Sequence, residues 1–191
     1  MTFRLESHST EELYQLLESG HINVAFLRNP QENRNFVMEP FFSEEFRVIV
    51  AENSIYPEGK INLEELDRKK EIDISSAWGL DFIRWHEETF GIEQMADISI
   101  NAVSTIPKYL TQADQWAIVP VSVAEELSRS SRIQMREMKN QPSVLYCYMV
   151  SLKSQNRAKS EMFELFYQVL EEFMDSMPYL TKIHTAHTET K

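Results

Sequence analysis

Short apolar runs bounded by turn residues alternate with helical patterns along most of this chain, and that alternation limits its fold more than any other feature. It is plainest in "LTQADQWAIVPVSVAEEL", Leu110 to Leu127. A polar turn leads into "WAIV", which reads as a buried strand. Pro120 stops it, and a helical pattern begins at once. Strand–helix alternation predicts the α/β class. A strand that ends against a helix start is also a common place to hold a small ligand.

The rest of the chain repeats this grammar. "TFRLES" alternates and predicts a strand. "STEELYQLLESGH" follows, with Ser9 and Glu12 in the spacing of a capping box. Leu13, Leu16 and Leu17 share one face, and Gly20 fits the stop. "INVAFL", Ile22 to Leu27, is a continuous apolar run, which predicts a strand covered on both faces. Together these three pieces predict a right-handed βαβ unit. "FVMEPFF" and "EFRVIVAEN" predict two strands with a bend between them, and "INLEEL" a short helical segment opened by Asn62. "EIDIS", "DISIN" and "WAIVP" predict strands. They are followed by helices over Trp78–Phe90, "VSTIPKYLTQ" and "SVAEELSR". "RIQMREM" and "SVLYCYMVS" predict two more strands.

The last helical pattern is "RAKSEMFELFYQVLEEFMDSM". Met162, Phe166, Val169, Phe173 and Met177 recur there at helical steps, and Leu165, Leu170 and Met174 widen the stripe. Burial of eight such side chains would contribute at most on the order of 10–20 kcal/mol. That predicts a docked helix. The expected organisation is a first lobe over residues 1–53 and a second over 57–138. Residues 139–178 return to the first lobe, and 179–191 form an unpatterned tail.

Composition excludes several functions. The chain has 191 residues and a formal net charge of −11, so by itself it repels a nucleic-acid backbone. The longest basic run, Arg68–Lys70, reads as a solvated loop. Four glycines argue against a Gly-rich phosphate loop. One cysteine, Cys147, permits no internal disulfide and sits in an apolar strand, where it reads as a small buried hydrophobe. No apolar run reaches membrane-span length and no signal peptide is visible, which places the expected protein in the cytoplasm, away from membranes. "HEET" at His86 is half of a zinc-protease motif, but the second histidine is missing, since position 90 is Phe. No Ser, His and Asp grouping is visible. No enzyme activity, metal or cofactor is expected.

The order of these elements resembles the effector-binding domain of LysR-type transcriptional regulators. "STEELYQLLESGHINVAFLR" is similar to that family's helix, glycine, acidic pair and strand, with Asn23 where Asp is usual. "EPFFSEEFRVIVAENS" is similar to its crossing segment, and "INLEEL" to its "v-x-l-x-x-L" element. "WHEETFG" resembles the end of a helix in its second lobe. "YLTQADQWAIVP" resembles its "V-x-x-G-x-G-I-x-x-x-P", with Ala113–Trp116 replacing the glycine turn. The resemblance covers the chain to about Met177. It implies a two-lobed periplasmic-binding-protein-like fold of type 2, shortened at the N-terminal side of the first lobe by one strand and one helix. It also implies an effector in the interlobe cleft that controls DNA binding, a homodimer or homo-oligomer, and DNA contact only through a winged helix-turn-helix outside this sequence. A stand-alone solute-binding protein of the same architecture is the alternative.

The strand-end rule selects candidate ligand residues. Arg28 follows "INVAFL". Ser75 and Ser76 follow "EIDI", with Trp78 just beyond. Asn101 follows "DISI" and Val103 opens the next helix. Pro120 and Val121 end "WAIV". Helix starts carry partial positive charge, a serine adds a donor and Arg28 a planar fork, so the expected ligand is a small anion or carboxylate. Other readings stand beside these: Ser76 as a helix N-cap, Arg28 as a solvated loop cation, and Trp78 as lobe core.

Overall fold

The computed structural model describes residues 4–93, 95–130, 132–154 and 161–183. The described chain divides into two compact units, Met1–Ser43 with Tyr146–Lys191, and Glu44–Leu145.

In the first unit, α1 (Thr10–Glu18) begins at Ser9, whose hydroxyl accepts the Glu12 amide while the Glu12 carboxylate accepts the Ser9 amide. Helix α1 ends at Gly20, at φ +72°, a conformation that favours glycine. Strand β1 (Ala25–Leu27) pairs antiparallel with β9 (Leu145–Leu152), Phe26 lying opposite Met149. With β2 (Phe36–Glu44) and β10 (Leu180–Lys182) they form a sheet in the order β1-β9-β2-β10. Leu17, Ala25, Leu27, Phe36 and Val150 are its core, and Tyr14 packs against Phe36 at 5.1 Å between ring centroids.

Several expectations change here. Among the described residues Arg4–Ser9 make no strand, because Leu5 is 89 % exposed and no neighbouring strand supplies a ladder; the rest of "TFRLES" lies outside the described residues. The predicted βαβ unit is therefore absent among the described residues. The strand expected over Ile22–Leu27 shortens to three residues, and Phe26 is only half-buried. Leu180–Lys182 forms a strand where an unpatterned tail was expected, since main-chain pairing needs no apolar pattern. Residues 184–191 lie outside the description.

Helix α5 (Glu161–Asp175) buries Met174, and the Tyr167 hydroxyl donates to Glu39 on β2 at 3.2 Å. Leu165, Val169 and Phe173, at successive four-residue steps, stay 43–56 % exposed. The apolar stripe is thus wider than the surface that covers it. The side chain of Met162 lies outside the described residues.

The second unit is built on β3 (Phe46–Ala51). It pairs antiparallel with β7 (Trp116–Pro120) on one side and β8 (Ile133–Met138) on the other. Strand β4 (Lys60–Ile61) joins β8 in parallel, giving the order β4-β8-β3-β7. A second, parallel pair, β5 (Ile72–Asp73) and β6 (Ile98–Ser99), is tied to this sheet by a parallel bridge from Glu71 to Trp116. Val48, Ile49, Val50 and Trp116–Val119 are buried, which explains the continuous apolar runs there. Helices α2 (Leu80–Phe90), α3 (Ile106–Tyr109) and α4 (Val121–Ser130) follow β5, β6 and β7. The "EFRVIVAEN" strand, expected in the first lobe, is the centre of this second unit. Its partners β7 and β8 both belong there.

Two substitutions test the packing of the first unit. Leu17, fully buried, should lose about 2–5 kcal/mol of stability on change to Ala. Phe173→Ala should cost about 1 kcal/mol or less. Urea unfolding followed by circular dichroism measures both, and equal losses would contradict the exposed stripe.

Candidate functional site

The parallel alignment of β5, β6 and β7 decides where candidate residues fall. Ile72 lies opposite Ile98, Asp73 opposite Ser99, and Glu71 bridges Trp116. All three strands therefore run the same way, and the segments that leave their carboxyl ends emerge along one edge. Those segments carry Ser75 and Ser76, Asn101 and Val103, and Val121, with Pro120 as the last residue of β7. Six of the expected residues share an edge for this reason. Arg28 is half-buried just after β1 in the first unit.

The turn after β5 is a 3-10 helix over Ser75–Ala77. Its amides are mostly engaged: Ser75 donates to Asp73 Oδ1 at 2.8 Å, Ala77 to the Ile74 carbonyl and Trp78 to the Ser75 carbonyl. Ser76, in the middle of this turn, is exposed. It caps no α-helix, because α2 begins at Leu80, after Gly79 at φ +93°. The helix expected from Trp78 starts later because that glycine breaks it. Trp78 is 2 % exposed, donates its indole N–H to the Ile118 carbonyl at 3.2 Å and meets Phe46 edge-on. It is lobe core.

After β6, Asn101 is exposed and Val103 half-buried, and Val103–Thr105 forms a 3-10 turn before the four-residue α3. After β7, the start of α4 is already engaged. Val121 donates its amide to the Glu45 carbonyl and Ser122 donates to Glu44 Oε2, both at 2.9 Å. Glu44 is 2 % exposed. A carboxylate at a helix start is a favourable charge–dipole pair. Free amides were expected there, and the chain's own acid occupies them instead. Pro120 and Val121 are buried.

Behind the β5 edge lies a buried charge cluster. His86 on α2 approaches both Glu71 oxygens, at 2.9 and 3.1 Å. Arg68 pairs with Glu71 through Nη1 and donates from Nη2 to Asp73 Oδ2 at 3.1 Å. Arg68, Glu71 and His86 are 7 %, 2 % and 4 % exposed. The rings of Phe82, Trp85 and Phe90 surround His86, and Arg68 lies over Phe90 at 5.8 Å. Burial pushes the Glu71 carboxyl up, with the His86 hydrogen bond and the Arg68 charge opposing it. Burial pushes Asp73 up too, but the Ser75 amide and hydroxyl and the Arg68 guanidinium outweigh it and hold that carboxyl low. Single ligand atoms of Glu71, Asp73 and His86 lie within 4.8 Å of one another. The guanidinium already brings positive charge to that space.

The sequence reading missed this cluster. Arg68, expected in a solvated loop, is buried, and Lys70 of the same run pairs with Asp114 at 2.9 Å. The Arg68 to Glu71 spacing and a histidine on an apolar helix face were the available signals, but their partners are fixed by strand pairing.

A family model, the LysR substrate binding domain, matches residues 1–175. The chain belongs to this family. Solved structures agree in fold. HinK, a LysR family transcriptional regulator from Pseudomonas aeruginosa, superposes with a TM-score of 0.74 at 16 % identity, over 90 % of this chain and 59 % of that one. A mutant of OxyR from Corynebacterium glutamicum gives 0.66 at 21 %, over 88 % and 53 %. The regulatory domain of MexT, a transcriptional activator in Pseudomonas aeruginosa, gives 0.64 at 16 %, over 84 % and 77 %. This member of the LysR substrate binding family thus spans little more than half of the OxyR and HinK chains it resembles. Its fold is the two-lobed periplasmic-binding-protein-like one. Among curated proteins none matches. Among the described residues no helix is long and apolar enough to cross a membrane.

Asp73 gives the site a pH signature. Its folded pKa lies below the unfolded value of about 3.9, so its contribution to stability is present above that value and lost as pH falls through the folded one. Asp73→Asn should lower stability at pH near 7, and its difference from the parent protein should close below about pH 4. Denaturant titrations across that range measure the closure.

Proposed function

We propose that this chain is the effector-binding domain of a LysR-type regulator, and that its effector is a small anion or carboxylate. The family match over residues 1–175 carries the reading. In this reading the effector meets the second unit along the carboxyl edge of β5 and β6, at Ser75, Ser76, Asn101 and Val103. The exposed Ser76 supplies a side-chain donor. Arg28 is the proposed guanidinium grip on the acid. Because Glu44 already fills the start of α4, the β7 end contributes shape through Pro120 and Val121 rather than free amides.

Effector binding would act by its difference in affinity between two arrangements of the domain, which sets how far it shifts the regulator. A homodimer or homo-oligomer in the cytoplasm, with DNA contact through a separate winged helix-turn-helix, completes the proposal. The chain's net charge of −11 fits a domain that does not itself grip DNA.

A thermal-shift screen of small carboxylates, amino acids and inorganic anions tests it. A ligand present at 100 times its Kd should stabilise the protein by about 2.7 kcal/mol. Arg28→Ala and Ser76→Ala should each remove most of that shift. A full shift in both variants would dismiss these residues as the site, and no shift from any acid would dismiss the anion class.

A further inference from the structure

The Arg68–Glu71–His86 cluster is buried, charged and unused by the proposed binding reading, yet it is joined to the ligand edge by an unbroken chain of polar contacts. His86 meets Glu71 at 2.9 Å, and Glu71 pairs with Arg68. Arg68 donates to one oxygen of Asp73, and the other oxygen of Asp73 accepts the Ser75 amide at 2.8 Å. Asp73 also accepts the Ile100 amide through its carbonyl at 2.9 Å, one residue before Asn101. One residue therefore anchors two of the three segments that leave the strand ends.

We propose that His86 is a positioning residue for the Ser75–Ala77 turn, acting through Glu71, Arg68 and Asp73, so that the turn responds to proton uptake at the His86–Glu71 pair. The inference matters for ligand binding only if the proposed effector edge is right, but the link itself belongs to the free protein.

The charge count supplies the reason. With His86 neutral, one guanidinium faces two carboxylates in a buried space. A proton shared by His86 and Glu71 balances it. Without that proton Arg68 is the sole cation against two acids, and the demand of Glu71 competes with that of Asp73. Arg68 meets the two acids through different nitrogens of one rigid plane, Nη1 toward Glu71 and Nη2 toward Asp73, so a turn of the guanidinium toward Glu71 draws Nη2 away from Asp73. A weaker hold on Asp73 loosens the oxygen pair that fixes Ser75. The charged groups facing His86 are Glu71 directly, with Arg68 and Asp73 behind it. Phe82, Trp85 and Phe90 cover its other sides. Lys70 and Asp114 pair with each other nearby.

The test needs no effector. The labelled 191-residue chain is titrated by NMR across the pH range in which it stays folded. The Ser75, Ser76 and Ala77 amides and the Trp78 indole N–H should move with the same midpoint as the His86 ring. His86→Gln should abolish that inflection, and Glu71→Gln should move the ring and turn midpoints together. Asp73→Asn should leave the His86 titration in place and flatten the turn. Proton uptake at the His86–Glu71 pair while the turn stays still in the parent protein overturns the proposal, as does a folded pair that takes up no proton. That parental comparison decides the matter even if a variant fails to fold. An unaltered inflection in a folded His86→Gln also overturns it. Failure of the effector reading shows separately, as loss of the acid-induced thermal shift.

Discussion

Trp116 is the residue on which the second unit turns. Its backbone pairs antiparallel with Val50 on one side and bridges Glu71 in parallel on the other. Its ring is fully buried, stacks toward Phe90 at 5.4 Å and donates its indole N–H to the Asp67 carbonyl at 3.0 Å. Those contacts join an antiparallel sheet to a parallel pair of strands. Without the bridge, β5 and β6 would have no fixed register against β7, and their carboxyl ends would not share an edge. The same join holds the turn at Asp67–Lys70 in place, and with it Arg68.

Electrostatics then shape the edge. A helix start attracts negative charge, and at α4 the protein supplies its own through Glu44. At the β5 end the arrangement is different. Arg68 draws Asp73 into a network, and Asp73 in turn fixes the amide of Ser75. Ser76 and Asn101 stay exposed along this edge. A ligand gripped here would meet a surface whose main-chain dipoles are largely committed, so side-chain chemistry has the larger part in its recognition.

Much of this was legible in the residues. The Ser9 and Glu12 pattern forms its capping box, Gly20 and Gly91 end their helices, and the "WAIVP" run is a buried strand followed at once by a helix. These are local signals, and local backbone chemistry suffices to read them. The errors have a common cause as well. "TFRLES" alternates like a strand but finds no ladder, whereas Leu180–Lys182 has no pattern and pairs. Pairing depends on what lies beside a segment. The α5 stripe is periodic on more sides than the fold covers, because periodicity reports where apolar residues are and not what packs against them.

The sequence by itself determined the α/β class, the succession of strands and helices between α1 and β9, and the set of segments that follow strand ends. Those follow from side-chain periodicity and turn chemistry within a few residues. Only the tertiary structure decided that β3 belongs to the second unit, that Glu44 caps α4, and that Arg68, Glu71, Asp73 and His86 meet. Charge partners brought together by strand register leave no mark in local spacing. A buried ion network is therefore invisible until the strands that carry it are paired.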